Sequence, residues 1–329
     1  MKLEYYRGGP VGFGTTTTTG EWVNLTTDSP DIQTGGARGV FASGQAPAQS
    51  NVIQYVTIST TGNSLDFGDL STSVMQIASC ASSTRGIFAG GALSPGARTN
   101  TIEFVTISIT GNFTDFGDLT VARDFFSGCS NSTRGIFAGG FSPSPAPATF
   151  NIIDYITVAS TGNAVNFGSL TTVRQEVYSC SNSTRGIIAG GYTAPSYVNT
   201  IEFVTISTLG NSADFGDLST IRGSGASCSN STRGIFAGGY SPNGDKIDYI
   251  TIATLGNSTS FGTLTTSRNN LSACSSSTRG VLGGGNTPSA TNVIEYVTVM
   301  SVGNSIDFGD LLTAQSRMGA CSNGHGGLG

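Results

Sequence analysis

The feature that most constrains this chain is a short step, Thr-Arg-Gly or Ala-Arg-Gly, that returns at Arg38, Arg85, Arg134, Arg185, Arg233 and Arg279. The same wording surrounds each arginine. Cysteines fall at Cys80, Cys129, Cys180, Cys228, Cys274 and Cys321, each five residues before an arginine of the step or its equivalent position. After the arginine an apolar stretch ends in Gly-Gly, as from Gly135 to Gly140, and a variable loop follows. Next comes an extended run such as Ile201 to Ser207, then a Gly-Asn turn such as Gly111-Asn112, then Asp-Phe-Gly-Asp-Leu, as from Asp115 to Leu119. A unit of about 47 residues written this way cannot bury its own apolar faces, so the units must stack on one another.

Each unit holds four short runs rich in Ile, Val, Thr, Phe and Tyr and bounded by Gly, Asn and Ser, which read as four β-strands. The Gly-Asn pairs suit tight hairpins, and no segment sustains an apolar stripe of helical period. In the run from Ile102 to Ile107, Ile102 and Phe104 face one way and Val105 and Ile107 the other, so this strand needs cover on both sides. Radial packing of four-stranded antiparallel sheets meets that need, and the expected fold is an all-β propeller. The third-strand pattern occurs seven times, beginning at Leu3-Glu-Tyr5 and ending at Ile294-Glu-Tyr296; the fourth-strand leucine also occurs seven times, from Leu25 to Leu311. The chain begins at a third strand and ends after a second. The expectation is therefore a seven-bladed propeller of one domain, residues 1–329. Its last blade would be shared by about 1–30 and 313–329, and the ring closed by pairing N-terminal with C-terminal strands.

The Gly-Gly after an apolar strand, the acidic-aromatic third strand and the aromatic-x-x-Leu before an arginine resemble the kelch repeat, over the whole chain. That resemblance implies a β-propeller, with Phe67, Phe116, Phe167, Phe215, Phe261 and Phe308 standing where kelch repeats carry Trp. The uniform Asn-Ser-Thr-Arg-Gly and Asp-Phe-Gly-Asp-Leu wording is similar to repeats of structural and tail-fibre proteins of marine bacteriophages, which implies a place on a virion.

Composition narrows the function. With 15 basic and 20 acidic residues, a pI near 4.8 and lysine only at Lys2 and Lys246, no nucleic-acid footprint is expected. No apolar run reaches the length of a membrane-spanning helix, and the first ten residues lack the apolar stretch of a signal peptide. The single histidine, His325, reads as a degenerate repeat position, and no Ser-His-Asp set can be assembled without a second one. Asp66 and Asp69 recur as a pair in four units, as a structural pair does and a catalytic pair does not. Neither a metal nor a cofactor is expected, and the chain reads as non-enzymatic.

The six cysteines, one per unit, read as buried reduced thiols on innermost strands. The six arginines of the step read as donors to acids or carbonyls at blade junctions, with an anion-binding ring as the other reading. Five further arginines, Arg123, Arg174, Arg222, Arg268 and Arg317, read as opening the first strand. Asn131, Asn182 and Asn230 match a glycosylation sequon but read as polar turns. Wording is uniform on one face and diverges in the loops between second and third strands, where Phe141, Phe150, Tyr192, Tyr197, Tyr240 and Asp245 lie. Those residues are the candidate partner-binding set, and the threonine-rich stretch Gly8 to Gly20 is a second irregular feature. The expected role is a virion structural or tail-associated protein docking on other virion proteins or on a host surface glycan or protein. A free carbohydrate-binding lectin or adhesin is the other class.

Overall fold

The computed structural model describes residues 4–7, 21–24, 37–240 and 244–328. Among them are six four-stranded antiparallel sheets set around one axis. Blade two shows the plan: an inner strand Ala78–Ala81, a second Arg85–Ala89, a third Thr101–Thr106 and an outer strand Thr114–Asp118. Blades three to six repeat it, with inner strands Ser127–Ser130, Tyr178–Ser181, Ala226–Ser229 and Ser272–Ser275. Blade one is assembled from strands far apart in the chain. Its inner strand is Gly319–Ser322, paired with Arg38–Ala42 in the register Val40 to Cys321, and Ser50–Thr57 and Leu65–Val74 complete it. This is a six-bladed β-propeller.

The second strands are apolar because both faces are covered: after the arginine, every residue of Arg85–Ala89 is buried. Each blade contributes to two interblade cores, the second-strand Ile87 packing on one side and Phe88 on the other. In each blade the third-strand aromatic meets the outer-strand phenylalanine edge to face, as Tyr55 meets Phe67 with centroids 5.9 Å apart.

Small residues set how closely the blades approach. Each cysteine sulfur presses on the glycine after the arginine of the next blade: Cys321 on Gly86, Cys80 on Gly135, and so on to Cys274 on Gly39. A Cβ at Gly39 would sit 2.3 Å from the Cys274 sulfur. Each Gly-Asn turn serves as an interblade staple as well. Its asparagine Oδ1 accepts from an outer-strand amide of the preceding blade, as Asn112 does from Asp69 at 3.1 Å and Asn63 from Asp310 at 3.0 Å. The seam between blades six and one carries the same contacts as the others.

Two expectations are corrected here. Among the described residues there are six blades, not seven, and the ring is not closed by a last blade shared between about 1–30 and 313–329. The hairpin of Glu4–Arg7 and Glu21–Asn24 pairs only with itself. It repeats the third- and fourth-strand wording, and no other strand pairs with it among the described residues. The inner-strand cysteine, which occurs once per blade, counts six. No cysteine stands five residues before Arg38, and Cys321 has no arginine five residues after it, so these two half-units complete each other. The threonine-rich Gly8 to Gly20 stretch, Leu3 and Leu25 lie outside the described residues.

Candidate functional site

The step arginines are consumed at the seams. Arg85 donates to the Val158 carbonyl at 2.9 Å, Arg134 to that of Ile206 at 2.9 Å, and Arg185 to that of Ile252 at 2.9 Å, each reaching into the next blade. Arg38, Arg233 and Arg279 do the same toward Ile107, Val299 and Ile58. The acceptors are carbonyls, and each guanidinium also lies over its own blade's third-strand aromatic ring, as Arg233 does 4.4 Å from the centroid of Tyr249. The six thiols are free and buried. Burial pushes Cys129 and Cys228 up to about 12. Asn131, Asn182 and Asn230 accept from the amides of Arg134, Arg185 and Arg233, closing the turn before the second strand.

A second set of arginines is deeper. Arg123, Arg174, Arg222 and Arg268 are fully buried and pair with Asp154, Glu202, Asp248 and Glu295 at 2.7 to 3.0 Å. Burial lowers the pKa of Arg123, Arg174 and Arg268, and the paired carboxylates oppose that shift. In blade one Gln315 and Gln54 occupy both places, and Gln54 Oε1 accepts from Ser64 and from the Leu312 amide. Arg317 does not belong to this set. The four buried arginines stand six residues before their cysteines, whereas Arg317 stands four before Cys321.

That displaced register leads to the axial mouth. The residues four before each cysteine are Gln76, Phe125, Glu176, Ser224, Asn270 and Arg317, and all six have φ between 53° and 61°. A left-handed conformation at six non-glycine residues is costly, and here the ring over-determines it. The amide of Gln76 donates to the Arg317 carbonyl, Arg317 to Asn270, Asn270 to Ser224, Ser224 to Glu176 and Glu176 to Phe125, at 2.6 to 3.0 Å. The left-handed φ thus recurs at all six positions, five of them donating to the next in this chain of amide bonds, while every side chain differs. In ring order Glu176 lies opposite Arg317, whose guanidinium donates to Gln45 Oε1 at 2.8 Å. The depression they line has a cavity of about 90 Å³, and one of about 120 Å³ lies beneath it.

The far end of the axis is narrow. The last described residues form a 3₁₀ turn, Gly326–Leu328, against the inner strands. A Cβ on Gly327 would fall 1.7 Å from the Ser130 carbonyl oxygen, and one on Gly326 2.2 Å from that of Asn230, so only glycines seat here. His325 Nε2 donates to the Ala81 carbonyl at 2.9 Å and Nδ1 accepts from the Gly327 amide. Its pKa is lowered by burial. Serine hydroxyls form a belt around the axis, Ser130 donating to Ala81, Ser181 to Ser130, Ser229 to Ser181, Ser275 to Ser229 and Ser322 to Ser275. The space inside is a cavity of about 60 Å³, edged by His325.

The variable loops share the face of the left-handed ring. Small hairpins, Phe141–Ser142 with Ala148–Thr149 and Tyr192–Thr193 with Ser196–Tyr197, stiffen two of them. Tyr192, Tyr197 and Tyr240 come together: Tyr192 meets Tyr197 edge-on at 5.3 Å, and Tyr197 stacks with Tyr240 at 6.3 Å and 22°. The Tyr197 hydroxyl donates to Glu176 Oε2 at 3.0 Å, and Ser224 donates to the same oxygen at 2.6 Å, which links the tyrosine patch to the axial mouth. Burial and the neighbouring Glu176 raise the Tyr197 pKa. Phe141 stands beside Arg98, whose guanidinium lies 6.0 Å from its ring centroid and pairs with buried Asp124 at 2.8 Å. Phe150 and Asp245 do not join the cluster. The Phe150 carbonyl accepts from the Arg174 amide, and the Asp245 carbonyl from the Leu264 amide, at the feet of their third strands. No protein-family model matches the chain, and no curated protein matches it.

Proposed function

We propose that this chain is a non-enzymatic recognition protein of a phage particle, a virion structural or tail-associated propeller. Its loop face docks on other virion proteins or on the host surface. A β-propeller fold is compatible with a protein-interaction role. The observation that carries the reading is the left-handed ring: one backbone conformation repeated six times and decorated by Gln, Phe, Glu, Ser, Asn and Arg. Positions that serve cohesion repeat their residue, as the cysteines and step arginines do, whereas positions facing a partner have reason to differ. The virion assignment rests on the resemblance of the repeated wording to phage structural proteins.

One observation favours the alternative, a lectin or adhesin acting free of any particle. Stacked Tyr197 and Tyr240 beside the Glu176 carboxylate offer a flat apolar surface next to an acceptor, as the C–H face and hydroxyls of a sugar ring require. The test compares three proteins, wild type, Tyr197→Ala and Tyr240→Ala, for co-sedimentation with phage particles at fixed copy number and for binding to host cells and glycan arrays. Fixed copy number with host binding lost in both variants supports the proposal. Glycan binding without particle association supports the alternative, and unchanged binding in both variants overturns the loop-face reading.

A further inference from the structure

We propose that a cavity in blade two is a binding site for the guanidinium group of an arginine side chain supplied by a partner polypeptide. The repeat supplies its own comparison. In four blades an arginine four residues after the outer-strand leucine enters the core and meets a third-strand acid, as Arg174, after Leu170, meets Glu202 at 3.0 Å. The same guanidinium donates to the carbonyls of Gly190 at 3.1 Å and Thr200 at 3.0 Å, and Arg222 adds that of Phe236 at 3.1 Å. Blade two keeps every acceptor and lacks the donor. Its acid is Glu103, its carbonyls are those of Phe88, Gly90 and Thr101, and Val74 stands in the arginine position, four residues after Leu70.

The frame is the same in both blades: Gly90 donates to the Thr101 carbonyl at 3.0 Å, as Gly190 does to that of Thr200 at 3.0 Å. Where the arginine would lie there is a cavity of about 240 Å³. Glu103 is half-buried at its edge and has neither an ion-pair nor a hydrogen-bond partner among the described residues. In blades three to six a hydroxyl or amide of the Thr or Ser after the outer-strand leucine bonds the acid, as Thr120 bonds Asp154 at 2.8 Å, but Ser71 makes no such bond to Glu103. The local cause is visible. Strand Leu65–Val74 is twice as long as its five-residue counterparts, and Val74 is paired with Ser50 of blade one.

The chemistry selects the ligand. Leu70, Val74, Ile77 and Phe88 wall the cavity with the apolar surface that methylenes need, and the carboxylate and carbonyls converge on a planar donor fork. An ammonium cannot span those acceptors from one point. The site shares the Ile77 side chain with the axial depressions but none of the tyrosines or polar residues of the ring, so the two readings fail separately.

The test is titration of the full chain with N-acetyl-arginine amide and with an arginine-containing peptide, followed by NMR shifts of residues 88–103 and by calorimetry. Capped citrulline, which is neutral, and capped lysine serve as controls. The expected result is saturable binding of both arginine probes, at least about ten-fold weaker for citrulline, for lysine and for Glu103→Gln. Glutamine is tolerated there, since blade one already carries Gln54 at the equivalent place. Val74→Arg would fill the cavity from within and abolish binding; if that variant does not fold, Glu103→Gln decides alone. Equal binding of citrulline, undiminished binding to Glu103→Gln, or no binding of either arginine probe would overturn the proposal.

Discussion

Gly39 and Cys274 lie at opposite ends of the chain and in contact across the seam between blades one and six. An alanine Cβ at position 39 would sit 2.3 Å from the Cys274 sulfur, against an ordinary contact of 3.4 Å or more, and 3.3 Å from a Val56 methyl. More than 1 Å of overlap in a packed interior calls for an overpacking cost of about 1–3 kcal/mol for Gly39→Ala. Cys274→Ala removes one buried sulfur and leaves a small void, at a cost of about 1–2 kcal/mol. Together the changes complement each other, because the new methyl occupies part of the space the sulfur vacates. The double variant should therefore be about 1–2 kcal/mol more stable than the sum of the singles requires, beyond the ~0.5 kcal/mol scatter of independent sites. Urea unfolding of the four proteins at unchanged m-value measures this cycle. A seven-bladed arrangement would set Gly39 against Cys321 instead. If Cys321→Ala relieves Gly39→Ala and Cys274→Ala does not, the seam assigned here is wrong.

Other predictions concern charge and thiols. Arg268→Met should destabilise by about 3–5 kcal/mol by leaving Glu295 buried without its partner, and adding Glu295→Gln should recover a measurable part, since blade one is built on Gln315 and Gln54. The six cysteines should be silent toward an aromatic disulfide reagent at pH 8 in the native protein and react as six equivalents once unfolded, because burial raises their pKa values. Two groups give stability opposite dependences on pH. His325 is held below the ordinary 6.5, so the unfolded chain binds its proton more readily and stability falls as pH drops through about 6.5, by at most ~1.4 kcal/mol per unit. Asp124, raised to about 6 by burial despite Arg98, binds its proton more tightly when folded. Its contribution is complete below about 4 and is lost as pH rises through about 6. Unfolding midpoints between pH 4 and 8 should lose the first slope in His325→Asn and the second in Asp124→Asn. A variant that keeps its slope would remove that residue from the account.

Much of this architecture is legible because cohesion is written with identical residues. The cysteine before Arg-Gly announces a sulfur that needs a glycine opposite it, and the strand patterns announce four-stranded sheets covered on both sides. Third and fourth strands overstate the number of blades, because the N-terminal hairpin of Glu4–Arg7 and Glu21–Asn24 carries that wording without belonging to a described blade. The inner strand is the element each blade owns once, and counting its cysteine gives six. Arg317 shares its residue type with Arg123 and its equivalents, although its distance to the cysteine differs by two. The axial ring escaped for a related reason. Its six positions share no residue type, only a backbone conformation, and a pattern search finds what repeats. Spacing to the cysteine was the available signal. In the same way the blade-two vacancy is invisible as a motif, since it consists of one valine where other blades carry arginine or glutamine.

A density map from crystallography or electron microscopy at side-chain resolution, viewed down the axis, tests the architecture most directly. It should show six inner strands, with Val40 opposite Cys321 and the Cys274 sulfur against Gly39. A seventh inner strand, or Gly319–Ser322 paired with anything but Arg38–Ala42, would contradict it.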